Sequence, residues 1–134
     1  MFHALTSARR ALADQGMIFN IHPAPDRPVI YCDAPEGRKV VGLLRGSRAR
    51  YRNAEARMER ALRRGLFTLR HTAVIPYMHY ASSLRTLRAH VKADWVGAGV
   101  DGATERRIRG ILGQKAVGPL VIKEWVRVSL LRKT

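Results

Sequence analysis

The chain has 134 residues, with 25 Lys and Arg against 10 Asp and Glu, so its formal net charge is +15. This length suits one small domain with an extension. Cys32 is the single cysteine, which excludes a disulfide framework and a cysteine-based metal site, and no apolar run approaches the ~18 residues of a membrane span. Because so high a charge repels itself in a folded chain, the composition predicts a polyanionic partner.

The positive charge is unevenly distributed along the chain. Residues 1–44 hold five Lys and Arg and four Asp and Glu, whereas residues 45–134 hold twenty basic and six acidic residues. The sequence therefore predicts an N-terminal extension or arm over residues 1–44 and a nucleic-acid-binding domain over residues 45–134.

The first residues, MFHALTSARRALADQG, favour a short helix. Arg9 and Arg10, the hydroxyl side chains, the lack of an acid before Asp14 and the roughly helical apolar spacing are typical of an organelle transit peptide. A short surface helix capped by Thr6 or Ser7 fits the same pattern. Both interpretations stay open on the sequence.

Residues 18–38 contain prolines at positions 23, 25, 28 and 35, which exclude a helix and favour extended or turn conformations. The runs IFNI and PVIYC within this segment have the composition of short strands. We therefore expect an extended arm that lies on a partner, or a loose flap on the domain.

The segment from Ser47 to His71 is predicted to be the longest helix. Its apolar residues recur at three- and four-residue spacing, and Ser47 is placed to cap its start. Glu59 lies four residues before Arg63, a favourable spacing for an ion pair. Gly65 weakens the helix and is expected to bend it.

Arginine surrounds this predicted helix. Between residues 45 and 64 the chain has eight arginines and no lysine, against the acids Glu55 and Glu59. The planar guanidinium binds phosphate through two hydrogen bonds and stacks on bases, so this choice of cation indicates RNA rather than mere solubility. The residues expected to contact RNA are Arg45, Arg48, Arg50, Arg52, Arg57, Arg60, Arg63 and Arg64, with Arg85, Arg88 and Lys92 as secondary contacts.

Three further helices are predicted after Pro76. The stretch YMHYASSLRTLRAHVKADW has a clean helical stripe, and TERRIRGILG follows it with Asp101 or Thr104 as its cap. The closing stretch PLVIKEWVRVSLLRK is ambiguous, because Val126 and Val128 alternate as in a strand, but we favour a helix. The predicted fold class is all-α, a long arginine-rich helix followed by a small helical domain, with an extended N-terminal arm.

No catalytic or metal-binding constellation emerges from the spacing of the polar residues. The histidines form no HExxH motif, GAGVDG lacks the spacing of a phosphate loop, and Ser82 and Ser83 lie outside a GxSxG setting. We therefore expect a binding protein rather than an enzyme, with no cofactor, no metal, no small-molecule substrate and no membrane association.

Three stretches of the basic region follow one another in a recognisable order. They are Arg45-Gly46 with a basic stretch and YRNAEARMERAL, then LRTLRAHVKADWVGAGV, then RIRGILGQKAV. Together, over roughly residues 45–128, they resemble the two long helices and the small helix and turn of the bacterial-type large-subunit ribosomal protein family numbered twenty. Arg88 stands where that family has a tryptophan, and TLRHTAVIPYMHYASS replaces its basic stretch between the long helices.

The resemblance implies a helical structural protein of the large ribosomal subunit that binds large-subunit rRNA beside neighbouring ribosomal proteins. The departures and the added N-terminal residues are typical of an organellar version, bound to the ribosome in the mitochondrial matrix or, alternatively, in a plastid. Two other interpretations stay open, namely another basic ribosomal or ribosome-assembly protein and a DNA-binding protein. A membrane-surface helix fits poorly because the apolar stripe is thin and rich in alanine.

Overall fold

The computed structural model describes residues 2–134 and combines four helices with five strands. In chain order these elements are α1 (Phe2–Ala11), β1 (Met17–Pro23), β2 (Val29–Ala34), β3 (Gly37–Leu43), α2 (Ala49–Arg63), β4 (Phe67–Ser83), α3 (Leu84–Asp94), α4 (Gly102–Leu112) and β5 (Val117–Lys133).

The strands form one antiparallel sheet in which β5 has the most partners. Residues 17–23 of β1 pair with residues 126–132 of β5. Residues 29–32 of β2 pair with residues 120–123 of β5, and β2 also pairs with β3. β4 pairs with β5 as well. The last strand in the sequence therefore joins three strands that come before it.

The prediction of an all-α fold is wrong. Residues 67–83 and 117–133, which were expected to be largely helical, are the two longest strands, with 17 residues each. β-Branched and aromatic residues favour a strand when a neighbouring strand lies alongside, and the alternation of Val126 and Val128 belongs to β5. Pro76, after which the next helix was predicted, lies inside β4. It is tolerated there because, among the described strands, β4 pairs with β5 alone.

The prediction of an extended N-terminal arm is wrong for a related reason. Residues 2–43 form α1 and three strands of the sheet. The two short strand predictions are confirmed, since IFNI lies within β1 and PVIYC overlaps β2. α1 begins at Phe2, so Thr6 and Ser7 lie inside the helix rather than at its start. The local strand signals were correct, but their distant partners in β5 could not be foreseen.

The two later helices match their predictions to different extents. α3 starts at Leu84 instead of Tyr77, because the residues before it belong to β4. Its start is capped by Ser83, whose hydroxyl accepts a hydrogen bond from the backbone N–H of Thr86 at 3.1 Å. Of the two caps predicted for α4, Asp101 and Thr104, the structure has Asp101, whose carboxylate accepts a hydrogen bond from the backbone N–H of Thr104 at 2.8 Å.

The chain divides into two compact units, each with its own core. The first unit consists of residues 2–25, 48–75 and 125–134. Helices α1 and α2 contact each other within this unit, and α2 contacts β1. Its buried apolar cluster consists of Leu5, Ala61, Phe67 and Leu131.

The second unit consists of residues 26–47 and 76–124 and has the larger core. Helices α3 and α4 cover this core, to which β2 and β5 also contribute. Its fully buried apolar side chains include Ile30, Cys32, Leu87, Ile108, Leu120 and Ile122. Within residues 2–134, no helix has the length and apolar character that crossing a membrane requires.

Candidate nucleic-acid interface

The arginine-rich helix α2 is shorter than the sequence predicted. It begins at Ala49, and its N-cap residue is Arg48 rather than the predicted Ser47. The helix ends at Arg63, well before the predicted end at His71, because the chain continues into β4.

Gly65 ends α2 instead of bending it. Its φ of +65° lies in the left-handed region that glycine adopts at little cost. The backbone N–H groups of Gly65 and Leu66 donate to the carbonyls of Leu62 and Ala61 at 2.9 and 3.1 Å. These two bonds form a Schellman motif, which satisfies the last carbonyls of the helix.

Arg48, one of the predicted RNA contacts, is buried, with 7% of its surface exposed. Its guanidinium donates hydrogen bonds to the carbonyl oxygens of Ala24, at 2.7 Å, and Pro25, at 3.3 Å. The same group lies over the ring of Tyr51, 3.8 Å from the centroid. Arg48 therefore holds the start of α2 against the chain segment that follows β1. Because its guanidinium is buried in these contacts, it is not one of the proposed phosphate contacts.

The two acids of α2 have different surroundings. Glu59 forms the predicted pair with Arg63, with 3.5 Å between the charged atoms. Glu55 instead accepts a hydrogen bond from Nε of Arg127 at 2.6 Å and lies 3.5 Å from Nε2 of His22. Burial lowers the pKa of His22 below its usual value, although Glu55 acts in the opposite direction. Glu55 therefore neutralises a cation of β5 and none on the outer surface of α2.

The outer face of α2 carries two stripes of exposed arginine. Positions seven apart lie on nearly the same side of a helix, because two turns take about 7.2 residues. The two stripes consist of Arg50, Arg57, Arg60 and Arg64, and of Arg52 and Arg63. Arg50, Arg52 and Arg57 have no acidic partner in the described chain. This surface, which we call the α2 arginine face, is the largest cluster of predicted contacts that the structure brings together.

The remaining predicted contacts lie in the second unit. Arg45 donates from Nε to Asp101 at 2.8 Å. Hydrogen bonds from Thr104 and the guanidinium of Arg45 hold the pKa of Asp101 well below its usual range. Arg88 donates from Nε to Glu105 at 2.7 Å and forms a two-pronged pair with that carboxylate. Both arginines are therefore partly neutralised by acids at the start of α4, the N-cap Asp101 and Glu105 in the first turn.

Helix α3 carries its own row of cations. Arg85, Arg88 and Lys92 are spaced three and four residues apart, so they share one side of the helix. All three are exposed, and neither Arg85 nor Lys92 has an acidic partner among residues 2–134.

A pocket of about 170 Å³ lies at the C-terminal end of this row. It is lined by Arg88, Val91, Lys92, Trp95 and residues 97–100. The spacing of the residues in the sequence did not predict this pocket. The local signal that could have indicated it is the run Trp-Val-Gly-Ala-Gly, residues 95–99, directly after a cationic helix.

A second group of polar residues is buried in the second unit. Nε2 of His79 lies 3.0 Å from one carboxylate oxygen of Glu124, and Nε1 of Trp95 donates to the other oxygen at 3.3 Å. The sequence could not indicate this group because its members come from β4, α3 and β5. Its carboxylate is already occupied by protein donors, which fits a role in holding these elements together.

No cluster of potential metal ligands occurs among the residues that the structure describes. Comparison of the chain with protein-family models, with curated proteins and with solved structures found no match. The function of the chain is therefore inferred from its own residues, and above all from the α2 arginine face.

Proposed function

We propose that this chain is an RNA-binding structural protein without enzymatic activity, and that the α2 arginine face is its main phosphate-contacting surface. Its proposed setting is the large ribosomal subunit of an organelle, the mitochondrion or alternatively the plastid. There it would contact large-subunit rRNA and neighbouring ribosomal proteins.

The observation that carries the RNA-binding proposal is the unbalanced charge of α2. Glu59 pairs with Arg63 and Glu55 pairs with Arg127, so neither acid offsets Arg50, Arg52 or Arg57. Exposed guanidinium groups of this kind gain affinity for phosphates by releasing the counterions condensed on a nucleic acid. Arg50 and Arg57 lie about 10 Å apart along the helix axis, so they can contact phosphates at separate places on a backbone.

RNA is favoured over DNA by the type of cation. Arginine offers a planar fork that binds phosphate through two hydrogen bonds and stacks on exposed bases. Structured RNA is recognised mainly through shape, phosphates and stacking, which these side chains can provide without reading base edges. A DNA-binding function remains the competing outcome of the test below.

The ribosomal setting rests on the resemblance in residues 45–128 alone. The helical fold that this resemblance implies is not the fold of the chain, which contains a five-stranded sheet. The ribosomal part of the proposal is therefore separate from the RNA-binding part and has its own test.

The RNA-binding proposal predicts a change in salt dependence when Arg50, Arg52 and Arg57 are replaced together by glutamine. Each phosphate contact contributes about 0.7–0.9 to the slope of log K against log salt concentration. We expect the slope for a folded RNA hairpin to fall by roughly two to three, while circular dichroism shows unchanged helix content. The measurement is fluorescence anisotropy with the labelled hairpin over a range of salt concentrations.

The matched control removes three charges elsewhere, by replacing the exposed Arg10, Arg70 and Lys115 with glutamine. The control should keep most of the slope. Equal slopes for both triple variants would contradict the assignment of the α2 arginine face. Tighter binding to duplex DNA of the same length at the same salt concentration would favour the DNA-binding alternative.

The ribosomal setting is tested by sedimentation of the tagged protein from an organelle lysate. The subunits are separated by removing magnesium and are then washed in high salt. Persistent sedimentation with the large subunit is the expected result. Release by salt, or migration apart from both subunits, would contradict the ribosomal assignment and leave a basic RNA- or DNA-associated factor.

A further inference from the structure

We propose that the pocket at the C-terminal end of α3 holds the base of one unpaired RNA nucleotide, and that the base is a pyrimidine. This inference rests on the proposed RNA-binding function and adds to it a second contact site and a class of nucleotide. The site belongs wholly to the second unit, so it can be tested apart from the α2 arginine face.

The size of the pocket suits a single ring. Its volume is about 170 Å³, and a cavity of about 150 Å³ in another protein holds one benzene molecule. A pyrimidine has one six-membered ring, whereas the fused rings of a purine need more room. The pocket therefore favours uracil or cytosine over adenine or guanine.

The lining of the pocket is mostly apolar, as expected of a site for a flat base. Val91 and Trp95 are buried in the core, with 3% and 4% of their surface exposed. They support the pocket from within, and Ala98 and Val100 pack against the same core. A base that has left its stack would therefore lie against the partly exposed Ala98 and Val100 and beside the guanidinium of Arg88.

Arg88 is held in place at the pocket before any ligand arrives. Its guanidinium bonds to both carboxylate oxygens of Glu105, which is largely buried. This pair fixes the plane of the guanidinium, and a fixed plane can stack on a base at low entropic cost. Lys92, which also lines the pocket, has no acidic partner in the described residues, so its ammonium group is available to a phosphate.

The row of cations on α3 indicates where the backbone of the nucleotide would lie. Arg85, Arg88 and Lys92 form a track of positive charge that leads along the helix to the pocket. α3 ends at Asp94, and the C-terminus of a helix disfavours an anion. The uncharged base therefore belongs in the pocket and the phosphates belong on the cations of the helix.

The test uses the full chain and the labelled oligonucleotides hexauridylate and hexaadenylate. Gly99→Leu places a large side chain in the pocket, which Gly99 lines. The position should tolerate this change, because an added Cβ meets no atom within 4 Å and the φ of Gly99 is not in the left-handed region. The matched control is Gly110→Leu in α4, where an added Cβ is equally unobstructed. Lys92→Gln, at an exposed position, serves as a second variant that does not depend on the tolerance of residue 99.

We expect the wild-type protein to bind hexauridylate more tightly than hexaadenylate. Gly99→Leu should weaken hexauridylate binding by about tenfold through the lost stacking, and Lys92→Gln by about threefold through the lost phosphate contact. Gly110→Leu should bind as wild type does. Neither glycine variant should change binding of the RNA hairpin, which depends mainly on the α2 arginine face.

Unchanged hexauridylate binding by both Gly99→Leu and Lys92→Gln would overturn the assignment of this pocket as the site of an unpaired base. A preference of the wild type for hexaadenylate, or an equal loss with both oligonucleotides, would overturn the assignment of a pyrimidine. The α2 assignment fails by a different observation, which is an unchanged hairpin salt slope in the triple variant. The two failures are therefore distinguishable.

Discussion

Arg48 and Arg50 are two residues apart, but their side chains lie in opposite environments. The guanidinium of Arg48 is buried and donates to two backbone carbonyls, whereas Arg50 is exposed on the outer face of α2. From the composition of residues 45–64 alone, both arginines were predicted to contact RNA. Burial separates a residue that holds the protein together from one that is available to a ligand.

Replacement of Arg48 by glutamine is therefore expected to lower the free energy of unfolding by about 1.5–3 kcal/mol. That is the usual effect of losing hydrogen bonds from a charged group, and the contact with Tyr51 is lost as well. Arg50→Gln, the matched control, should stay within about 0.5 kcal/mol of wild type. Urea denaturation followed by circular dichroism measures both, and equal stability of the two variants would contradict the structural role of Arg48.

His22 is expected to make the stability depend on pH. Burial lowers its pKa below the usual value of 6.5, so the folded protein keeps the imidazole neutral where the unfolded chain already binds a proton. Because the unfolded state then holds more protons, the free energy of unfolding should decrease as the pH falls through and below 6.5.

The contribution of His22 can be isolated by comparing wild type with His22→Gln at about pH 7.5 and about pH 5.5. The loss of stability on acidification should be smaller in His22→Gln. His71, which is exposed on β4, provides the control, since His71→Gln should retain the wild-type pH dependence. If acidification destabilised His22→Gln as much as wild type, the pH dependence would have to come from other groups.

At the scale of the elements, Gly65 determines where α2 stops and β4 begins. Gly65→Ala should cost about 1–2 kcal/mol of stability, which is the penalty of a left-handed conformation for a residue with a Cβ. Steric crowding does not increase this cost, because a Cβ added at Gly65 meets no atom within 4 Å. Thermal or urea unfolding measures the change.

Gly110→Ala is the control for this prediction. Gly110 lies inside α4, its φ is not in the left-handed region, and an added Cβ there is also unobstructed. Alanine should therefore stabilise the protein by about 0.5–1 kcal/mol. Equal effects at both positions would show that the conformation of Gly65 does not matter.

The elements that the sequence predicted correctly are those with local signals. α4 has its acidic cap, β1 and β2 have strand composition, and the first part of α2 has a helical stripe. β4 and β5 were missed because their sequences also tolerate a helix, and only pairing between distant segments selects the strand. Such pairing cannot be recognised from the sequence of a few neighbouring residues.

The candidate site was foreseen in part. The exposure of the arginines on the outer face of α2 follows from helical periodicity, which the sequence displays. The burial of Arg48, the turning of Glu55 toward β5 and the pocket beside Trp95 depend on tertiary neighbours. Residue types therefore support only the proposal of a ligand class, whereas the selection of the contacting residues required the fold.

For the molecule as a whole, the proposal of a polyanionic partner does not depend on whether the fold is all-α or contains a sheet. A net charge of +15 bears on partners, solubility and association rates and carries little information about helices or sheets. The exposed arginines from which RNA binding was predicted lie on a protein that contains a five-stranded sheet. The fold therefore follows from the strand pairing, whereas the proposed ligand class follows from the net charge.

The position of Pro76 in β4 has a consequence for how the protein behaves at high concentration. β4 is a 17-residue strand that pairs only with β5, and a long unpaired strand edge is a template for aggregation. Proline on an edge strand discourages an incoming strand from pairing, because it has no backbone N–H to donate. We therefore expect Pro76 to lower the tendency of β4 to associate edge to edge with another chain.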